Sequence, residues 1–231
     1  SGGQVSAAIT YIGGGATGVG NGHVTGAGSS LTANSQFVVG LDGQGQLTVD
    51  SGASLTSTGN SFIGANAGSD GEVYIQSAGA WTAGATQIGR DSSGALAIET
   101  GADVTMTNGY LGYNATGSGI ATVTGAGSTW SLSNSVYAGY GGAGDITVSN
   151  GGVLSTTMAS FVGFNAGATG TASVTGTGSQ WNTLTNAIYL GGNGGSGEMT
   201  VQSGGLVHAG ELLVGYIGSG TLDVVDGGSV I

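Results

Sequence analysis

The sequence predicts an all-β chain: a right-handed parallel β-helix of about nine coils, each of about 25 residues and three short strands. Three observations predict it. Glycine supplies 53 of the 231 residues, while proline and cysteine supply none. Hydrophobic residues still make up 39%, and Val, Ile, Thr and Ser dominate what glycine leaves. An aliphatic residue followed by glycine returns every 23 to 28 residues along the whole chain.

The composition argues for a folded β chain. Disordered chains are poor in aliphatics and rich in charge, and here only 6% of residues are charged. β-Branched side chains pack well on a pleated surface, and glycine turns corners that other residues resist. So much glycine without proline is not collagen-like either.

The repeat defines the coil. Ile12-Gly13, Val39-Gly40, Ile63-Gly64, Ile88-Gly89, Leu111-Gly112, Ala138-Gly139, Val162-Gly163, Leu190-Gly191 and Val214-Gly215 mark its first anchor. Nine to eleven residues after each glycine stands a β-branched residue: Val24, Val49, Ile75, Ile98, Val123, Val148, Val174, Val201 and Val224. Six or seven residues later comes a third apolar anchor: Leu31, Leu55, Trp81, Val104, Trp130, Leu154, Trp181, Val207 and Val230.

Each anchor sits in a locally alternating stretch such as Leu47-Thr48-Val49, so one face is apolar and the other polar. No coil can bury that face alone. Stacking coils at about 4.8 Å pairs each strand in parallel with its copies and lays like residues over like. The period is too short for propeller blades, which need about 40 residues. The turns use Asn150-Gly151, Ser51-Gly52 and Gly204-Gly205, pairs suited to tight corners. Coils one, five and seven carry V-T-G-x-G-S-x-[LW] (Val24 to Leu31, Val123 to Trp130, Val174 to Trp181), one corner residue longer than the others.

These motifs resemble the passenger-domain repeats of bacterial autotransporters, particularly large adhesin-like ones. The resemblance rests on VTGAGSTW and VYAGYGGAGDITVSNGGVLS and covers essentially the whole chain. It implies a β-helix exported across the outer membrane and shown on, or released from, the cell surface. Adhesion to host or neighbouring-cell molecules, glycans or matrix, self-association and biofilm formation are the roles it implies. The opening SGGQVSAAIT has no initiator Met or signal peptide, and the family's C-terminal translocating barrel is absent. The expectation is one solenoid over residues 1–231, a fragment of a longer passenger.

Charge excludes some functions. Arg90 is the single basic residue among Lys and Arg, and the formal net charge is −11. A nucleic-acid binder needs cations to displace counterions from phosphates, and adsorption to anionic lipid needs them too. No apolar run approaches the roughly 20 residues of a membrane helix. The missing cysteine suits a chain that crosses an oxidising periplasm.

Catalytic chemistry finds little support. Polysaccharide lyases on this fold use a basic residue, and Arg90, beside Asp91, reads as a solvated ion pair of a turn. Asp70 and Glu72 share a turn and Asp223 and Asp226 flank a strand end, but the acids are expected to scatter over unlike positions. That is a solubilising pattern, not a paired-carboxylate site. His23 and His208 lie about seven coils apart, too far to share a metal, and Gly141-Gly142-Ala143-Gly144-Asp145 misplaces the aspartate of a calcium roll. No cofactor is expected, only surface calcium at acidic turns. The tryptophans replace Leu and Val at one anchor and are read as core stack members.

The other aromatics form a candidate site. The position two before each repeat glycine reads Tyr11, Val38, Phe62, Gln87, Tyr110, Tyr137, Phe161, Tyr189 and Leu213. Its neighbour points inward, so alternation turns it outward. Tyr110, Tyr137, Phe161 and Tyr189 would then form a ladder, widened by Tyr113, Tyr140, Phe164 and Tyr216 just after the glycine. Such a stripe marks a ligand or self-association surface; burial of both positions at a wide corner is the competing expectation. Three functions follow: an adhesin stalk or self-associating surface protein, a filament subunit stacked head to tail, or a carbohydrate-active enzyme. A secreted signalling ligand is a fourth.

Overall fold

The computed structural model describes residues 2–231 as a parallel β-solenoid of 26 strands without a helix. A representative coil runs through strands Asp70–Ile75, Ala80–Ala83 and Thr86–Ile88. The first strand of each coil joins a nine-stranded sheet. The other two join one continuous 17-stranded sheet, because the strands Gln4–Ile12 and Ser30–Val39 run unbroken past the corner between them.

The three anchor series stack as expected. Ile12, Val39, Ile63 and their successors pair in register through to Val214. So do Val24 to Val224 and Leu31 to Val230. Up to the last coil, where Val214 and Val224 are exposed, they fill the interior of the solenoid as one cluster. A coil slipped by one residue would turn its anchors to solvent, so burial enforces the register.

Trp81, Trp130 and Trp181 are fully buried in this interior. They alternate with Leu55, Val104, Leu154 and Val207, so each indole spreads over smaller neighbours above and below. Polar groups follow the indoles inward. Trp81 Nε1 donates to Ser57 Oγ at 3.0 Å and Trp181 Nε1 to Ser160 Oγ at 3.4 Å.

The V-T-G-x-G-S corner also has a physical role. Its two glycines take positive φ, 93° and 83° at Gly125 and Gly127, where a side chain would strain the backbone. The serine that follows turns inward and is buried. Ser128 Oγ donates to Thr124 O at 2.8 Å and accepts from Gly101 N at 3.0 Å in the coil below. Ser179 repeats both bonds with Thr175 and Gly151. The motif braces corners between coils.

A second glycine row, unnoticed in the repeat, runs from Gly20 to Gly220 with one member per coil. Its cause is space. A Cβ on Gly144 would lie 2.0 Å from Gly139 N and 2.6 Å from Ala138 C of the same coil.

Candidate functional site: a double ladder of aromatic rings

The aromatic positions form two parallel rails along one edge of the solenoid. Rail one lies on the outer face of the 17-stranded sheet, in strands such as Gly109–Leu111 and Val136–Ala138. In both strands the outer residues are buried and the tyrosine between them is half-buried, so alternation does turn the ring outward. Tyr110, Tyr137, Phe161 and Tyr189 stack with centroids 5.0, 4.8 and 5.0 Å apart and interplanar angles of 10°, 6° and 10°. Rail two lies in the turn after each repeat glycine, where Tyr113, Tyr140 and Phe164 stack at 5.0 and 5.6 Å.

The rails interlock edge to face. Tyr110 meets Tyr113 at 5.4 Å and Tyr140 at 5.2 Å, and Tyr137 meets Tyr140 and Phe164 at 5.2 Å each. Phe161 meets Phe164 at 4.8 Å, and Tyr189 meets Tyr216 at 5.3 Å. Both packing modes suit the quadrupole of an aromatic ring. Within each rail the ring faces are spent on neighbours one coil away, and between the rails the rings meet nearly at right angles. The outcome lies between the two expectations: the rings sit outside the sheet and half-bury one another.

Toward the N-terminus the strip closes over. Val38, Phe62 and Ala65 form a small second core with Leu41 packed on it. Arg90 fills rail two above it. Its guanidinium lies 4.8 Å from the Phe62 ring centroid, while Nε donates to Ala65 O and Asp91 Oδ2 at 3.1 Å. Nη2 donates to Asn66 Oδ1 at 2.5 Å. The Asp91 ion pair stands as expected, but the side chain is mostly buried on an aromatic ring instead of solvated; packing wins because the stem and fork cover apolar surface. Beside rail two runs a ladder of Asx side chains that sequence reasoning missed. Asn66 Nδ2 donates to Asp42 Oδ1 at 2.7 Å and Asn114 Nδ2 to Asp91 Oδ1 at 2.6 Å. The recurring Asx two residues after the repeat glycine was its signal.

Two acidic placements differ from expectation. Asp70 and Glu72 belong to one strand, not a turn, because the strand Asp70–Ile75 begins at the first of them. Glu72, Asp145 and Glu198 also fall in one outward row of the nine-stranded sheet, so the acids are less scattered than the sequence suggested. None is on an adjacent coil. Asp145 and Glu198 flank Thr171 in a shallow open groove of about 250 Å³. Glu72 accepts from Gln46 at 2.8 Å and from Tyr74 at 3.1 Å.

His23 and His208 are exposed strand residues at opposite ends. His23 Nε2 lies 2.9 Å from Asp50 Oδ2. Hydrogen bonds from Thr25 and His23 hold the Asp50 carboxyl below its ordinary value. Among the described residues no group of three potential metal ligands comes together.

Burial raises the tyrosine hydroxyls of Tyr110 and Tyr137 above their ordinary value, and neighbouring tyrosines add to it. The nine-stranded sheet presents instead a flat polar field, with Thr122, Thr147, Ser173 and Thr200 in register.

Comparison with known proteins finds two curated relatives that are each much longer than this chain. The chain is 34% identical over 242 residues to the uncharacterized lipoprotein YdeK of Escherichia coli, spanning 99% of this chain and 18% of that protein. It is 40% identical over 112 residues to the adhesin BmaC autotransporter of Brucella suis, spanning 46% of this chain and 3% of that protein. The match fits an autotransporter passenger. The chain thus covers less than a fifth of either relative. No family model matches. A crystal structure of a TibC-catalyzed hyper-glycosylated TibA fragment aligns over 98% of this chain and 97% of that one. The identity to it is 17% and the TM-score 0.21.

Proposed function

We propose that this chain is a rigid, non-enzymatic stretch of an autotransporter-type passenger, displayed at the bacterial surface after export through the outer membrane. Its work is adhesion or self-association through its long repeated faces. The observation that carries this reading is the in-register stacking of nine coils, which repeats one polar sheet and one aromatic edge along a single rod. A solenoid whose units touch only their neighbours is suited to extended binding surfaces. The adhesin named among its relatives supports the same reading.

Glycans or matrix proteins on host or neighbouring cells are the partners of this reading, with a second copy for self-association. The ladder's ring faces are already stacked, so a sugar would meet ring edges and hydroxyls there, and the flat Ser/Thr field offers the larger polar surface. No cofactor takes part. No dedicated calcium site belongs to this reading, so chelation at fixed ionic strength leaves thermal unfolding unchanged.

Grafting residues 1–231 into a surface-display passenger on a non-adherent bacterium tests the proposal. Adhesion to host cells or clumping above the empty passenger is expected, and it persists in Asp145→Asn/Glu198→Gln. Cleavage of a glycan that this double variant abolishes would transfer the chain to the carbohydrate-active enzymes.

A further inference from the structure

Four tyrosines meet on the aromatic edge, Tyr110 and Tyr113 in one coil and Tyr137 and Tyr140 in the next. Tyr113 and Tyr140 stack with centroids 5.0 Å apart at 13°, and Tyr110 and Tyr137 at 5.0 Å and 10°. Edge-to-face contacts of 5.4, 5.2 and 5.2 Å join the two pairs into one group of phenols. Phe161 and Phe164, which carry no hydroxyl, separate this group from Tyr189 and Tyr216. Tyr11 lies far from it in the first coil, with its hydroxyl on Gln36.

Proximity decides what one-electron oxidation does to such a group. A phenol that loses an electron and its proton keeps part of the unpaired electron on Cε, beside the carbon that bears the oxygen. Two such radicals join through those carbons, and rings held side by side meet at a high effective concentration. In a stacked pair the rings occupy equivalent positions of successive coils, so Cε faces Cε. In an edge-to-face pair such as Tyr189 and Tyr216, at 66°, an edge points into a ring instead. Of the two stacked pairs, the one in the turn has the freedom to close. Tyr110 and Tyr137 are fixed in the strands Gly109–Leu111 and Val136–Ala138, and Tyr137 is stacked on Phe161 as well. Tyr113 and Tyr140 lie outside the strands and are partly exposed.

We propose that Tyr113 and Tyr140 are an oxidative cross-linking site, joined as a dityrosine by peroxide acting through a haem peroxidase. The peroxidase takes one electron and one proton from each phenol, and the peroxide that receives them leaves as water. The two radicals form a Cε–Cε bond, and the hydrogens on the joined carbons move as protons to the phenol oxygens. The chain has no cysteine, so no disulfide can tie its coils, and this bond does so instead. It closes the loop between residues 113 and 140 and stabilises by constraining the unfolded chain, as a disulfide does. The chemistry is read on the purified chain, so its failure leaves the adhesion reading untouched.

Treating the dilute, purified chain with hydrogen peroxide and a haem peroxidase tests it. The expected product is a monomer lighter by a pair of hydrogens, with dityrosine fluorescence and one joined peptide that contains Tyr113 and Tyr140. Its urea midpoint rises above that of the untreated chain. Tyr113→Phe and Tyr140→Phe keep the stacked rings, and each loses both the joined peptide and the rise, while Tyr11→Phe retains them. Dityrosine that joins other tyrosines, or that appears only in cross-linked dimers, overturns the proposal. So does a treated chain that gains only oxygen, as at the exposed Met158 thioether, or that stays unchanged while free tyrosine is consumed.

Discussion

Trp130 packs against Gly109: a Cβ at Gly109 would lie 2.9 Å from the indole Cζ2. The register neighbours of Gly109 are Thr86 and Val136, so the position as such accepts a side chain. In this coil the indole is the nearest obstacle, with Leu132 Cδ2 next at 3.2 Å. Gly109→Val is therefore expected to cost ~1–3 kcal/mol by overpacking, read as a lower urea midpoint. Adding Trp130→Leu should recover part of the loss, because the two changes share one space. Strict additivity would refute the pairing.

The inner glycine row gives a stricter test. Gly144 faces Gly139 N at 2.0 Å from a built Cβ, and the obstacle is backbone, which cannot rotate aside. Gly144→Ala should therefore destabilise by ~3 kcal/mol or more, at the upper end for a point substitution. Hydrogen exchange should show the loss concentrated in the coils on either side of residues 143–149. Ala143→Gly, next to it and exposed, serves as the mild control.

Most of the fold was legible because stacking converts a sequence period directly into spatial contact. Each anchor series in the sequence is one in-register column in the structure, interior in every coil but the last, where Val214 and Val224 are exposed. The glycine row at Gly20, Gly45 and Gly71 escaped notice because glycine was read as a corner residue, whereas here it relieves crowding inside a strand. The aromatic edge was legible as a line but not as a package. Alternation says which way Tyr137 leaves the sheet, and it is silent on whether Tyr140 and Phe164 fold over to cover it. The acidic row was legible from the anchors: Glu72, Asp145 and Glu198 each stand three residues before a β-branched anchor, Ile75, Val148 and Val201, and alternation turns that position outward.

Tyr137 sits at the centre of that package, stacked between Tyr110 and Phe161 and edged by Tyr140 and Phe164. Tyr137→Ser removes all four contacts and is expected to cost ~1–3 kcal/mol, below the ~3–5 kcal/mol of a fully buried aromatic because the ring is half-exposed. Tyr137→Phe keeps the ring and should stay within ~0.5 kcal/mol of the parent. Partner affinity separates structure from recognition. If Tyr137→Ser lowers stability while adhesion of the displayed segment is unchanged, the ladder is a second core and binding belongs to the polar sheet.

Alkaline pH should weaken the solenoid through the same rings. Burial lifts Tyr110 and Tyr137 above the ordinary tyrosine value of 10.0, so the folded state prefers the neutral phenol. In the unfolded chain both hydroxyls ionise at the ordinary value. Above it the unfolded state binds fewer protons than the folded one, and stability then falls as pH rises. The stabilisation is fully present below pH 10.0 and is lost between that value and the raised folded one. Tyr74 contributes in the same direction, lifted by burial and by its bond to Glu72. Urea unfolding followed across this range should show a falling midpoint in the parent and a flatter profile in Tyr110→Phe/Tyr137→Phe. An equal slope in both would mean that the phenols are solvated in the folded chain, and the half-buried ladder would have to be abandoned.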